Sequence, residues 1–255
     1  MTWTNSTLMA LDVESTGLDV ETARIVTLCH GISHEPGRWD PWTWKVNPGV
    51  PIPPEATAVH GITDAMVADA PPPKVALGHL LDELNHVAVV GYPIVGHNLA
   101  YDLTVIDREL NRHLGASIPD GLICLDTLVL FRRFDFTTGG RTLSQLAARN
   151  GITFPAHDAE ADALASLRLL HILAADNDLL PHVEPATLHE LQKGWHAAQT
   201  LAGHYKRRAN GQGNDTLPDT NWPIIPRRLN LEPAPELPSE TREGLADAPE
   251  VPGIS

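Results

Sequence analysis

Cysteine is close to absent: Cys29 and Cys124 are the two in 255 residues. Two thiols build no disulfide framework, so the chain reads as one of a reducing, cytoplasmic compartment, with both cysteines buried and free in strands. No run approaches the ~18 consecutive apolar residues of a membrane span. The N-terminus has no basic stretch followed by an apolar one, so neither a signal segment nor a membrane partner is expected. Positive charge is also scarce: 18 Lys and Arg stand against 32 Asp and Glu, a net charge of −14. That balance argues against broad, sequence-independent coating of a polyanion. No internal repeat is evident.

What is present suffices for one substantial core, since hydrophobic residues make up 42% of the chain. Thr7–Val13 reads as a central strand, and Arg24–Ile32 and Trp39–Val46 as the next two, joined through a Glu35-Pro36-Gly37 turn. Proline-rich stretches at 51–54 and 71–73 bracket helical turns around His60 and Met66, and Lys74–Val90 is helical. Ile94–Gly96 and Leu122–Leu125 read as short strands, with helices over about 127–134 and 142–149. The order β-β-β-α-β-α-β-α-α predicts a mixed α/β sheet flanked by helices. Residues 187–208 predict a further helix with Leu188, Leu191, Trp195, Ala198 and Leu201 on one stripe. Proline, glycine and acids dominate from about 210 onward, which predicts disorder there; Trp222 and Ile224-Ile225 are the residues able to anchor that tail.

Three short acidic motifs carry the chemistry. They are Leu-Asp-Val-Glu-Ser-Thr-Gly-Leu at 11–18, Gly-His-Asn-Leu-Ala-Tyr-Asp at 96–102 and His-Asp-Ala-Glu-Ala-Asp at 157–162. Strand alternation points Asp12 and Glu14 to one side and Val13 to the other. Gly17 lets the chain turn sharply and a ligand approach the backbone. Asn98 suits a helix N-cap, with Asp102 one turn later on the same face. His157 and Asp162 are five apart, about 140° around a regular helix, so they share no helical face. Pro155 and Asp158 resolve this: the helix begins at an Asp158 cap, fixing Asp162 in the first turns and leaving His157 on the loop. Asp12, Glu14, Asp102 and Asp162 are hard oxygen ligands suited to Mg²⁺ or Mn²⁺. Two such ions about 3.5–4 Å apart serve in-line attack of water on a phosphodiester. An imidazole, ordinarily titrating near neutrality, suits His157 to take the proton.

These motifs resemble the three boxes of the DnaQ-like 3′–5′ exonuclease family in its DEDDh subgroup, with Ser15 where Thr is more frequent. Val59–Thr63 and Asp126-Thr127 resemble two further signatures, and the similarity spans about residues 7–180. Trp222-Pro223-Ile224-Ile225-Pro226 is similar to tails on exonucleases of actinobacteria and their phages. The resemblance implies a ribonuclease H-like fold and two divalent ions. It implies that Asp12 bridges both, that Glu14 and Asp162 complete the first site, and that Asp102 helps hold the second. Thr16, Gly17 and Leu18 would line the terminal-nucleotide pocket, with Leu18 wedged on the last base. His60 reads equally as a substrate contact and as a loop-stabilising residue, Asn98 more as a cap than a contact, and His97 as structural. Arg132-Arg133 and Lys206–Arg208 read as solvated basic groups or phosphate contacts.

The resulting expectation is an exonuclease domain over 1–180, a helical extension over 181–210 and a disordered, Pro-rich tail over 211–255. The expected activity is metal-dependent removal of nucleoside monophosphates from single-stranded or frayed DNA 3′ ends, in proofreading or repair. Metal ions would supply the positive charge that the acidic chain lacks. Trimming of RNA 3′ ends, or a non-catalytic module bound to a polymerase or replisome, are the alternative readings.

Overall fold

The structure, a computed structural model, describes residues 2–35 and 37–228. Strands β1 (Leu8–Ser15), β2 (Ile25–Glu35), β3 (Arg38–Lys45), β4 (Ile94–Gly96) and β5 (Cys124–Asp126) form one sheet in the order β3-β2-β1-β4-β5. β1, β2 and β3 are successively antiparallel, while β4 and β5 run parallel to β1. Glu35 pairs with Arg38 across the β2–β3 turn; Pro36 itself lies outside the described residues. This is the expected mixed sheet.

Alternation along β1 divides the core in two. Met9, Leu11 and Val13 pack with α3 (Pro73–Val90) and α4 (Leu99–Leu114), whereas Leu8 and Ala10 pack with α5 (Thr127–Phe134), α6 (Leu143–Arg149) and α7 (Ala159–Ala175). The short helices α1 (Pro54–His60) and α2 (Asp64–Val67) cover a third cluster around Val26 and Ile52. Cys29 and Cys124 are both buried and free. None of the described helices is long and apolar enough to cross a membrane.

Helix α8 (Pro185–Ala209) departs from the simple apolar stripe. Leu188 is fully buried and Trp195 meets Phe134 edge-on, but Leu191 and Ala198 are exposed. The buried face is largely polar, with His189, Gln192 and His204. The reason lies in β5, whose outer edge has no strand beside it among the described residues. The Gln192 amide accepts from Asp126 N at 2.8 Å and donates to Cys124 O at 2.9 Å, while His189 Nδ1 accepts from Cys124 N at 3.0 Å. Side chains thus do the work of a sixth strand, closing an edge that would otherwise leave buried peptide groups unpaired.

Residues 211–228 of the expected tail form no helix or strand, yet part of this stretch packs on the domain. Trp222 is buried against His189, Ile225 N donates to Thr104 Oγ1 at 2.9 Å, and Arg108 donates to Ile225 O at 2.8 Å. The anchoring role expected of Trp222 and Ile224-Ile225 is met by burial of the indole and pairing of the main chain. The remainder of the tail, 229–255, lies outside the described residues.

Gln192→Met keeps the volume but orphans Asp126 N and Cys124 O. Leaving buried backbone groups unpaired costs about 1–3 kcal/mol each, so we expect the unfolding free energy from urea titration to fall by that order, through a lower midpoint with the m-value unchanged. An unshifted midpoint would show that water replaces the amide.

Candidate active site

The carboxyl ends of β1, β4 and β5 meet at one edge of the core, and a cleft of about 600 Å³ opens there. Asp12, Glu14, Asn98, Asp102, His157 and Asp162 all line it. Asp12 and Glu14 continue the β1 face that carries Leu8 and Ala10, and a bulge after Glu14 breaks the register with β2. Such bulges re-aim the chain beside a site. Asp102 comes from α4 on the opposite face and reaches the end of the sheet, where its Oδ1 accepts from Val13 N at 3.1 Å. Asp158 caps α7 through Ala161 N at 3.0 Å, and Asp162 then accepts from His157 N at 3.2 Å. His157 is exposed on the loop, as the spacing requires. Among the described residues the two non-glycine residues with left-handed backbone are Asn98 (φ 70°) and His157 (φ 65°), and both face the cleft. That conformation is uncommon outside glycine, and it sets the direction in which each side chain leaves the chain.

Asn98 occupies the N-cap position of α4, but its side chain caps nothing. Asp126 supplies the cap instead. Its carboxylate accepts from Asn98 N and Leu99 N, each at 3.0 Å, and also from Leu128 N at 2.9 Å as the cap of α5. The Asn98 side chain is thereby left to the cleft. His97 bridges Thr127 Oγ1 (2.9 Å) and Arg141 O (3.0 Å), holding the loop before α6 against the same wall.

A second recess of about 460 Å³, mainly apolar, adjoins the cleft across Val13, Glu14 and Tyr101. Gly17, Leu18, Val59 and His60 line it, and Leu18 is 92% exposed. Thr16 does not line either cavity. It is buried, and its hydroxyl accepts from Arg24 N at 3.0 Å. Gly17 has no left-handed φ, and a Cβ there would meet nothing within 4 Å, so the turn itself does not require glycine and the space stays open. His60 Nδ1 accepts from Ile62 N at 3.1 Å, closing its own loop while the ring faces the recess. Tyr101, one residue before Asp102, was not singled out from the sequence. Its hydroxyl contacts Ser15 Oγ and donates to Gly17 O at 2.5 Å, so it buttresses the turn that carries Leu18. Behind this turn, Glu21 accepts two bonds from Arg108, and Arg24 pairs with Glu109 at 2.9 Å. The wall of the recess and the helix bearing Asp102 are therefore one unit.

None of the four carboxylates has a salt bridge among the described residues. Burial pushes the Asp12 carboxyl well above its ordinary range, and the charges of Asp102, Asp162 and Glu14 push it further. Burial, reinforced by Asp162 and Asp158, raises Glu14 to about 7. Burial also raises Asp162 to about 7, against the bond from His157 N, and raises Asp102 against the bond from Val13 N. Ligand atoms of Glu14, His157 and Asp162 lie within 4.8 Å of one another. A group of anions this poorly compensated has the composition of a site for a hard divalent cation.

An acidic cleft at the carboxyl ends of the parallel strands of a mixed sheet is where α/β folds bind their ligands. Residues 9–170 match the family model described as Exonuclease, and the chain belongs to this exonuclease family. It is 34% identical over 179 residues to a DNA polymerase III subunit epsilon-like protein of Rhodobacter capsulatus, covering 66% of this chain and 24% of that one. Identity to the DNA polymerase III subunit epsilon of Haemophilus influenzae is 35% over 109 residues, covering 42% of this chain and 40% of the other. The chain thus spans about a quarter of the length of the first relative and two fifths of the second. Among solved structures, E. coli exonuclease I in complex with a dT13 oligonucleotide superposes with a TM-score of 0.57 at 19% identity, over 66% of this chain and 41% of that one. Exonuclease X in complex with 5′ overhanging duplex DNA gives a TM-score of 0.50 at 23% identity, over 72% and 99%. Identities this low speak for the shared fold.

The raised carboxyl pKa values set a sign for stability. These groups bind protons more tightly folded than unfolded, so the stability they contribute is full below about pH 4 and is lost as pH rises through about 7. We expect Glu14→Gln to stabilise the metal-free protein at pH 8 by roughly 1–3 kcal/mol, at about 1.36 kcal/mol per unit of pKa difference, with little effect at pH 4. Equal effects at both pH values would show that Glu14 carries no such repulsion.

Proposed function

We propose that the chain is a metal-dependent 3′–5′ exonuclease of the DEDDh type, removing nucleoside monophosphates from single-stranded or frayed DNA 3′ ends. The observation that carries this reading is the meeting of Asp12, Glu14, Asp102, Asp162 and His157 in one cleft beside an apolar recess. The donor set fits Mg²⁺ or Mn²⁺: four carboxylates without cationic partners among the described residues, arriving from three separate elements. Asp12, Glu14, Asp102 and Asp162 would hold two ions. When bound, these ions supply the positive charge that lets a phosphodiester approach the carboxylates, and they make water more acidic.

The chain's own residues divide the remaining work. Asp162 is held in the first turn of a capped helix, whereas His157 sits on an exposed loop with only its main chain tied to Asp162. A fixed ligand beside an accessible imidazole suits proton removal from the attacking water as the bond from phosphorus to the 3′ oxygen breaks. The recess beside Glu14 has room for the terminal nucleoside, with exposed Leu18 placed to wedge against its base. Unstacking a base costs a few kcal/mol, least at a mismatched or single-stranded end, which favours frayed termini. DNA is preferred over RNA as substrate because the relatives are named as DNA polymerase III subunits or homologues of one. The same names support a proofreading or repair setting with a polymerase partner.

Chelation of divalent metal should abolish cleavage of a 3′-labelled DNA strand, and Asp12→Ala should be the most damaging of the carboxylate substitutions. Undiminished cleavage in chelator would remove the metal from the reading. His157→Ala should lower turnover by about 10²–10⁴, the usual share of a general base, while calorimetry shows metal binding retained. Loss of metal binding would make His157 a ligand instead. A single-stranded DNA circle should resist cleavage; its rapid cutting would refute the exonuclease direction, and faster decay of a matched RNA strand would shift the substrate to RNA.

A further inference from the structure

The cleft is lined by cations as well as carboxylates: the end of α5 and the loop before α6 contribute Arg132 and Arg141 to it. These arginines differ in what holds them. Arg141 donates to the carbonyls of Asp135 and Thr137, each at 2.8 Å, and lies 3.5 Å from the Asp135 carboxylate, so its guanidinium is engaged in shaping the loop. The Arg132 side chain has no hydrogen bond or ion pair among the described residues. Elsewhere on the chain Arg24, Arg108, Arg112 and Arg149 each meet a carboxylate.

The direction of Arg132 follows from the helix. Asp126 caps α5 at one end, and the neighbouring Arg133 lies 5.5 Å from the centroids of the Phe134 and Trp195 rings, against α8. With Arg133 committed to that face, Arg132 is turned to the cleft. The Arg132 side chain remains exposed at the cleft; partial desolvation lowers its guanidinium pKa from the ordinary range, with Asp126 opposing and Arg141 adding to the shift. An unpaired guanidinium beside another cation is set for an anion, and its planar fork matches a phosphate.

We propose that Arg132 binds the phosphodiester immediately 5′ of the scissile one, forming a second phosphate subsite that guides the strand out of the cleft along the α5–α6 wall. This rests on the exonuclease reading and adds to it where the rest of the strand is gripped. The chain carries a net charge of −14, so its overall field does not draw in a polyanion and the grip must be local. One guanidinium beside the cleft, rather than a basic surface, implies a short grip of few nucleotides.

The test compares Arg132→Gln and Arg132→Lys with the wild-type chain on two substrates over a KCl series at fixed Mg²⁺. One is a 3′-labelled single-stranded oligonucleotide. The other is the p-nitrophenyl ester of thymidine 5′-monophosphate, which has the scissile diester and no second phosphate. On the oligonucleotide, Arg132→Gln should raise KM about tenfold, as expected for one charge-assisted bond, and by more than any fall in kcat. The slope of log(kcat/KM) against log[KCl] should weaken by about 0.7, the value for one phosphate contact on a single strand. Arg132→Lys should restore the salt slope and only part of the KM. The loss in kcat/KM should be at least about fivefold larger on the oligonucleotide than on the ester. Equal losses on both substrates, or an unchanged salt slope, would overturn the subsite while leaving the exonuclease activity in place. A wild-type chain unable to process either substrate would overturn the exonuclease reading and the subsite with it.

Discussion

The Asp126 carboxylate, almost completely buried, is the point from which the cleft is hung. It closes β5 and accepts the first amides of both α4 and α5, with the Trp222 indole N–H a further donor at 3.4 Å. A buried anion is costly unless its lone pairs are filled, and here backbone amides at two helix starts fill them while the helix dipoles favour its charge. The consequence is geometric. α4 and α5 begin at the same point in space, so the helix bearing Asp102 and the helix bearing Arg132 both line one cleft. Gln192 pairs with the main chain of the same strand from the outside, which ties α8 to the arrangement.

Against this well-compensated anion stand four that are not. Among the described residues Asp12, Glu14, Asp102 and Asp162 meet with little more than two backbone amides to offset them, and burial, reinforced by neighbouring carboxylates, makes their carboxyls resist ionisation. The two environments show how placement decides the use of one side-chain type. Asp126 lies under helix starts, where peptide dipoles converge. The other four lie at the open end of the sheet, where repulsion stores a preference for an incoming cation. Ion pairs are found behind the walls, as in Arg108–Glu21 and Arg24–Glu109. There they brace the turn that carries Leu18 without neutralising the cleft.

Much of this was legible in the chain. Alternation along β1 put Asp12 and Glu14 on one face because a strand has a period of two. The five-residue spacing of His157 and Asp162 placed a helix start between them because no regular helix brings both to one side. Other readings failed for identifiable reasons. The α8 stripe was assigned by apolar spacing, yet the surface it covers is a strand edge, which needs polar side chains more than apolar ones. Asn98 looked like a cap because it precedes a helix, but capping was taken over by a residue 28 positions away.

Local sequence therefore determined the elements, their order, the acidic motifs and the start of the helix bearing Asp162, since each depends on periodicity or on contacts within a few residues. Tertiary structure alone decided that Asp126 caps two helices, that Tyr101 buttresses the Ser15–Gly17 turn and that Gln192 and His189 close the β5 edge. It also decided that the Arg132 side chain lines the same cleft as the carboxylates and has no ion pair among the described residues. Each of these rests on groups distant in sequence competing for the same buried hydrogen bonds or charges, and that competition is settled only when the chain is folded.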